Sequence, residues 1–150
     1  MVEARKALTA AAMAVAVACA RAPQQTYPGP PLPLAEVAVL KDGSEAAVLE
    51  IDGVQVSGSS WTLMPGPHEV LVRFRIFTEV PNVNWTIWSY CRIELPADAG
   101  EEYVTRVRLR KEIAPGLSEK VAIELGIADG EGVLRGALGS CLPKRPAIKR

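Results

Sequence analysis

An alternation of mainly apolar and polar side chains over residues 68–78 (HEVLVRFRIFT) restricts the fold of this chain more than any other feature. Successive side chains of a β-strand point to opposite faces, so this period of two predicts a strand with one buried face. The predicted buried face carries Val70, Val72, Phe74 and Ile76. The opposite face carries Glu69, Arg73 and Arg75.

The same period recurs along the chain and predicts an all-β domain. In residues 85–95 the buried face would carry Trp85, Ile87, Cys91, Ile93 and Leu95. The other predicted strands cover residues 36–41, 47–51, 55–56, 61–63, 103–110 and 121–127. Turn signals such as Asp52-Gly53 and Pro65-Gly66 separate them, a pattern typical of a β-sandwich or an open barrel. We expect a small Ig-like β-sandwich over residues 35–128 and a C-terminal tail over residues 129–150.

The first eighteen residues predict an export signal. Arg5 and Lys6 precede an uncharged, alanine-rich run over residues 7–18. A basic start, a short apolar run and a small-residue cleavage site are the parts of a secretory signal peptide. The run has about twelve residues, whereas a membrane-spanning helix needs about twenty. We therefore expect residues 1–18 to be removed.

The cleavage site has two interpretations. Residues 15–19 (VAVAC) resemble a bacterial lipobox, although Ala16 stands where leucine is usual, and this resemblance implies that Cys19 is acylated and becomes the new N-terminus. The following residue, Ala20, is by resemblance to enterobacterial sorting a signal for the outer membrane, facing the periplasm. The alternative is a small-x-small site at Ala18-Cys19-Ala20, which would release a soluble exported protein.

Residues 19–34 predict a linker. Five prolines within residues 20–34 (ARAPQQTYPGPPLPL) exclude a helix or a central strand. Proline-rich chain favours polyproline II, and at ~3.1 Å per residue fifteen residues would span about 45 Å. In the alternative interpretation, Tyr27 and the prolines pack along the surface of the domain.

Three cysteines, Cys19, Cys91 and Cys141, bear on the compartment. If Cys19 carries lipid, the other two are free to oxidise outside the cytoplasm, and their disulfide would staple the tail to the domain. Two alternatives remain, a pair of free buried thiols or a nucleophilic cysteine. The nucleophile would need a nearby base, and the sole histidine is His68, which is more often bonded to a turn carbonyl.

The aromatic residues Trp88 and Tyr90 point away from the predicted core by parity. Such an outward pair is a candidate binding patch. It would equally fit a surface that the C-terminal segment or the second sheet covers.

Several motifs resemble the PEGA-type surface module. They are Ile51-Asp52-Gly53, Trp61-Thr62-Leu63 and Pro65-Gly66-Pro67-His68. The chain also resembles a group of uncharacterised bacterial lipoproteins over roughly residues 19–110. The motifs shared with that group are Tyr27-Pro28-Gly29-Pro30, the EVAVL strand at 36–40, Cys91 and Ala99-Gly100-Glu101-Glu102-Tyr103. The resemblance implies a location and a β fold, but no activity.

Charge and motifs restrict the function. The chain has 17 basic and 17 acidic residues, without the basic face of a nucleic-acid binder. We find no Walker loop, Rossmann glycine pattern, nucleophile elbow or clustered metal ligands, and predict no cofactor and no metal. The sequence thus predicts a non-enzymatic, lipid-anchored protein of the bacterial cell envelope with a binding or structural role. Its partners would be the membrane and another envelope protein or polymer. A soluble exported binding domain and an enzyme accessory are the alternatives.

Overall fold

The computed structural model describes residues 21–80, 83–113 and 119–143. The predicted signal peptide (1–18) and Cys19 lie outside the described residues, as do the side chains of residues 78–85, which include Trp85. Within the described ranges the chain is built from β-strands, with a single 3-10 turn at Leu34–Glu36. The all-β prediction is confirmed. Among the described residues, no helix has the length and apolar composition needed to cross a bilayer.

In the parts of the chain that the structure describes, eleven strands form two sheets. The first sheet has the order β1-β5-β2-β8-β9-β10, and the second has the order β11-β7-β6-β3-β4. The strands are β1 (Gln24–Gln25), β2 (Ala38–Lys41), β3 (Ala46–Ile51), β4 (Val54–Gln55), β5 (Ser60–Leu63), β6 (Gly66–Val80), β7 (Val83–Ala97), β8 (Glu102–Ile113), β9 (Glu119–Ala128), β10 (Leu134–Arg135) and β11 (Ala137–Leu142).

One hydrophobic core joins the two sheets. The first sheet contributes Leu40, Trp61, Tyr103 and Ile127, and the second contributes Val72, Phe74, Cys91 and Ile93. All of these side chains are buried because alternate residues of each strand point to the same side. The apolar face predicted for residues 68–78 is confirmed, since Val70, Val72, Phe74 and Ile76 are all buried.

Ile87 departs from its predicted burial. It shares the inner face of β7 with Cys91 and pairs with Ile76, yet it is 46% exposed. The pairing of β6 with β3 ends at Phe74, so the β6–β7 hairpin continues beyond its neighbouring strand. The alternation of side chains therefore placed Ile87 on the correct face. It could not show how far along the hairpin that face is covered by neighbouring strands.

The turn between β3 and β4 follows its sequence signal. Asp52 and Gly53 both have positive φ, 52° and 78°, and Ile51 pairs with Val54 across them. A two-residue hairpin with positive φ at both positions twists in the sense that the flanking strands require. Asp-Gly is a preferred pair for this turn because glycine and aspartate tolerate the left-handed region.

The proline-rich segment contacts the first sheet. β1 pairs in parallel with β5, with Gln24 opposite Trp61. Thr26 donates to the carbonyl oxygen of Thr62 from both its backbone nitrogen (3.3 Å) and its hydroxyl (2.8 Å). The Tyr27 hydroxyl accepts from the backbone nitrogen of Leu32 at 3.2 Å. The described part of the segment thus packs along the domain.

The segment after residue 128 also contributes strands. β10 pairs with the end of β9 in the first sheet, and β11 pairs with β7 in the second. The chain crosses from one sheet to the other at Gly136, whose φ is 82°. The sequence placed the end of the sandwich at residue 128, whereas both sheets gain a strand beyond it.

Candidate functional site

The outer face of the second sheet carries the two aromatic residues that the sequence singled out. On β7, Trp88 lies opposite Arg75 of β6, and Tyr90 lies opposite Arg73. Trp88 is 41% exposed, and Tyr90 is half-buried. The structure brings the two predicted residues to one face, with arginines beside both. We call Glu45, Arg73, Arg75, Trp88 and Tyr90 the outer patch.

Two different interactions hold the arginines of the outer patch. The Arg73 guanidinium lies over the Trp88 ring, 4.8 Å from its centroid, which is a cation–π distance. Its buried Nε has no hydrogen-bond partner in the described structure. Arg75 donates from Nε and Nη2 to the two carboxylate oxygens of Glu45, at 2.9 and 3.3 Å. Arg75 is therefore neutralised by a fork-shaped contact, whereas Arg73 keeps an unused donor.

A small pocket opens in the outer patch. Its volume is about 210 Å³, and it lies between the start of β3 and the β6–β7 pair. Its walls are formed by Ser44, Glu45, Ala46, Ala47, Arg73, Arg75 and Trp88. Because sites for drug-sized ligands usually measure about 300–1,000 Å³, this pocket suits one side chain or one ring of a larger partner.

The pKa values of two carboxyl groups near the outer patch are shifted in opposite directions. The hydrogen bond from Arg75 holds the pKa of the exposed Glu45 carboxyl below its ordinary value. Burial raises the pKa of the Asp42 carboxyl, against the opposing effects of the Val48 backbone N–H and the charge of Arg73. The local charges are thus two arginines balanced by two carboxylates, which favours recognition by shape and stacking over a strong attraction for one sign of charge.

His68 connects the two turns of the module-like motif. Its Nδ1 lies 2.6 Å from Asp52 Oδ2, and its Nε2 lies 2.6 Å from the carbonyl oxygen of Met64. Asp52 Oδ1 also accepts from the backbone nitrogen of Glu69 at 2.9 Å. The expected bond between His68 and a turn carbonyl is therefore present. Since both ring nitrogens have partners, the geometry favours a structural role.

Cys91 and Cys141 form a disulfide. They are direct register partners on β7 and β11, with their Cα atoms 4.1 Å apart. Cys91 is fully buried in the core, whereas Cys141 lies at the surface. The two groups of the alternative nucleophile–base pair are thus both engaged, Cys91 with Cys141 and His68 with Asp52 and Met64.

A second, acidic pocket lies at the end of the first sheet. Its volume is about 320 Å³, and its walls include Asp98, Glu101, Asp129 and Glu131. Asp129 is already held by Arg135, whose Nε lies 2.6 Å from Asp129 Oδ2. In the described part of the chain, no group of three or more histidine, cysteine or carboxylate side chains has the arrangement of a metal site.

The arginines of the outer patch were not singled out from the sequence. They were interpreted only as the polar side of a strand, because their relation to Trp88 depends on the register of β6 against β7. The structure supplies that register, since residue 80 pairs with residue 83 and Arg75 therefore lies opposite Trp88.

Comparison of the chain with protein-family models, with curated proteins and with solved structures yields no match in any of the three.

Proposed function

We propose that this chain is a lipid-anchored protein of the bacterial cell envelope, with a PEGA-like β-sandwich that has a non-enzymatic binding or structural role. The observation that carries the proposal is the pairing of the cysteines. Of three cysteines in the chain, Cys91 and Cys141 bond to each other. The third, Cys19, follows a basic start and a short apolar run, as a lipobox cysteine does.

The disulfide supports a location outside the cytoplasm. Such bonds persist in oxidising compartments, including the bacterial periplasm, and are rare where glutathione keeps thiols reduced. The sorting resemblance at Ala20 favours the outer membrane, with the domain facing the periplasm.

The contacts of Asp52 support the module-like interpretation of the fold. Asp52 is the middle residue of one motif and His68 ends another, and their side chains meet at 2.6 Å. The backbone nitrogen of Asp52 also donates to the carbonyl oxygen of Glu69 at 2.8 Å. Two of the motifs that resemble the PEGA-type module are thus in direct contact.

The outer patch supports a binding role. Tryptophan, tyrosine and arginine are the residues that most often carry binding energy in protein interfaces. The exposed Trp88 ring, with the Arg73 guanidinium over it, lies on the outer face of the second sheet. The proposed partner is another envelope protein or an envelope polymer.

Anchoring is tested by expressing the full chain in a bacterial host beside Cys19→Ser. We expect the wild-type chain in the membrane fraction, with an N-terminus at Cys19 and an acyl mass increment. The Cys19→Ser chain should lose both. The matched control is Cys91→Ser with Cys141→Ser, which removes the other two cysteines and should leave anchoring unchanged.

The second candidate function is a soluble exported binding domain. The small-x-small sequence Ala18-Cys19-Ala20 favours it, because signal cleavage there would leave no anchor. If wild type and Cys19→Ser are both soluble and begin near Arg21, the anchor is wrong and this second function stands.

A further inference from the structure

Strand β11 is attached to the domain along one edge only. Among the described residues, it is the outermost strand of the second sheet and pairs only with β7. All six of its residues are exposed, so its side chains bury little apolar surface. The register of the pair also shifts between Leu138 and Cys141, which interrupts the ladder of hydrogen bonds. Neither burial nor a regular ladder therefore holds β11 firmly.

The disulfide supplies the missing attachment. Cys141 of β11 is bonded to Cys91, which is buried in the core and lies on the strand that β11 covers. The bond closes a loop of 50 residues in sequence separation. Of the two cysteines, Cys141 is the exposed residue and Cys91 is fully buried, so attack by a thiolate is directed to Cys141.

The chain just before β11 is fixed in place. Arg135 Nε donates to Asp129 Oδ2 at 2.6 Å, and Asp129 Oδ1 accepts from the backbone nitrogens of Glu131 and Val133. Gly136 follows directly, with φ at 82°, in the region that favours glycine. A release of β11 would thus end at Gly136 and leave β10 in the first sheet.

Two glycines bring the β11 backbone close to β7. A Cβ on Gly136 would overlap the carbonyl oxygen of Glu94, and a Cβ on Gly139 would lie 3.0 Å from the carbonyl oxygen of Arg92. The edge of β7 over residues 90–94 is thus shaped to accept an extended segment that has glycine at two positions three residues apart.

We propose that β11 is a redox-released strand and that its departure opens the β7 edge as a docking site for an extended, uncharged Gly-x-x-Gly segment of a partner protein. The reductant is a dithiol. Its first thiolate attacks the Cys141 sulfur, the Cys91–Cys141 bond breaks, and Cys91 leaves as a thiolate that takes up a proton. The second thiol of the reductant then displaces Cys141, so two electrons pass to the domain and the dithiol becomes a disulfide.

The release is tested by amide hydrogen exchange on the full chain, with and without dithiothreitol. We expect exchange over residues 137–142 and 90–94 to accelerate by about 100-fold on reduction and to become far faster than exchange in β8 and β9, which open only when the whole domain unfolds. Unchanged exchange in β11 would overturn the proposal. So would equal exchange rates in β11 and in β8 and β9 after reduction, because β11 would then open only when the whole domain unfolds.

Docking is tested with a synthetic peptide of residues 136–143 that carries serine in place of Cys141. The receptor is the full chain with Gly139→Val and Cys141→Ser, in which β11 has neither its bond nor its close approach to β7. We expect this chain to bind the peptide at least ~10-fold more tightly than the oxidised wild-type chain does. A peptide with valine at both glycine positions is the matched control and should not bind. Equal binding of both peptides, or no binding of either, contradicts the proposal.

Discussion

The two faces of the second sheet carry neighbouring residues of the same strands but differ in what holds them. On the inner face, Phe74 and Ile93 lie in the core shared by both sheets. On the outer face, Arg75 and Trp88 remain exposed and are held by an ion pair and a cation–π contact. Burial of a large apolar side chain contributes about 1.5–3 kcal/mol, whereas an exposed ion pair contributes about 0–1 kcal/mol. Stability thus depends mainly on the inner-face residues, so substitutions on the two faces should differ in how much stability they cost.

Leu71 is an exception to the division between a buried inner face and an exposed outer face. It belongs to the outer face by parity, yet it is almost fully buried. Its register partners are Glu50 on β3 and Arg92 on β7, and these two side chains approach each other to 3.9 Å. Leu71 is thus buried between the strands that carry this ion pair, while Glu69 and Phe77 on its own strand remain exposed.

The largest effect is expected from Phe74→Ala on the inner face. It should lower the free energy of unfolding by about 3–5 kcal/mol, because the surrounding core collapses only partly into the space left by the ring. Urea denaturation measures the change. The matched control is Phe77→Ala, the same residue type on the same strand but 43% exposed on the outer face. Equal losses for the two variants would break the distinction between the faces.

The second-largest loss of stability is expected from removal of the disulfide between β7 and β11. Cys91→Ala with Cys141→Ala should lower stability by about 2–5 kcal/mol, because the unfolded chain regains the freedom of a closed loop. Urea denaturation with and without reductant measures it. We expect reductant to lower the stability of wild type and to leave the double variant unchanged. A double variant that still responds to reductant would show that another bond is responsible.

Trp88→Ala should cost far less stability than either change. The contact with Arg73 is a cation–π pair at an exposed site, with an expected contribution of about 0.5–1 kcal/mol. A double-mutant cycle with Arg73→Ala isolates that coupling. Trp61→Ala is the control, since Trp61 is buried in the core. A loss of stability for Trp88→Ala as large as that for Trp61→Ala would contradict the assignment of Trp88 to an open face.

The smallest effect on stability is expected from protonation or substitution of Glu45 in the outer patch. The pKa of Glu45 is held below its ordinary value of 4.5 by Arg75, so the folded state favours the ionised carboxylate. Its contribution is therefore present above that ordinary value and disappears as pH falls through the lowered folded value. Thermal unfolding of wild type and Glu45→Gln between pH 3 and 7 measures it. The difference in thermal stability between wild type and Glu45→Gln should shrink as pH falls. A difference that grows would mean that the pKa of Glu45 is raised and not lowered.

The sequence predicts local features of the fold well, because they depend on neighbouring residues. Parity assigned Phe74 to the core and Trp88 to the outside, and the Asp52-Gly53 pair marked a tight hairpin turn. Each of these follows from the geometry of a strand or a turn over a few residues. The two aromatic residues of the outer patch could be predicted in the same way, because both lie on one strand.

Long-range pairing could not be read in the same way. β2 runs parallel to β8, with Leu40 opposite Tyr103, although more than sixty residues separate them in the chain. The contacts of β11 with β7 and of β1 with β5 bury little, so their sequences lack the apolar alternation that revealed β6. Arg73 acquires its place beside Trp88 only through the register of two strands.

The pairing of β1 with β5 sets how far the domain can reach. If Cys19 carries the lipid, four residues separate it from Gln24, the first residue held by the sheet. At about 3.3–3.6 Å per residue, the five steps from Cys19 to Gln24 span about 17 Å, far less than the length of the whole proline-rich segment. Prolines 28 to 33 then belong to the surface of the domain and not to a spacer. A domain on so short a connection stays next to its own membrane, so its partners are expected among components of that membrane or molecules that come close to it.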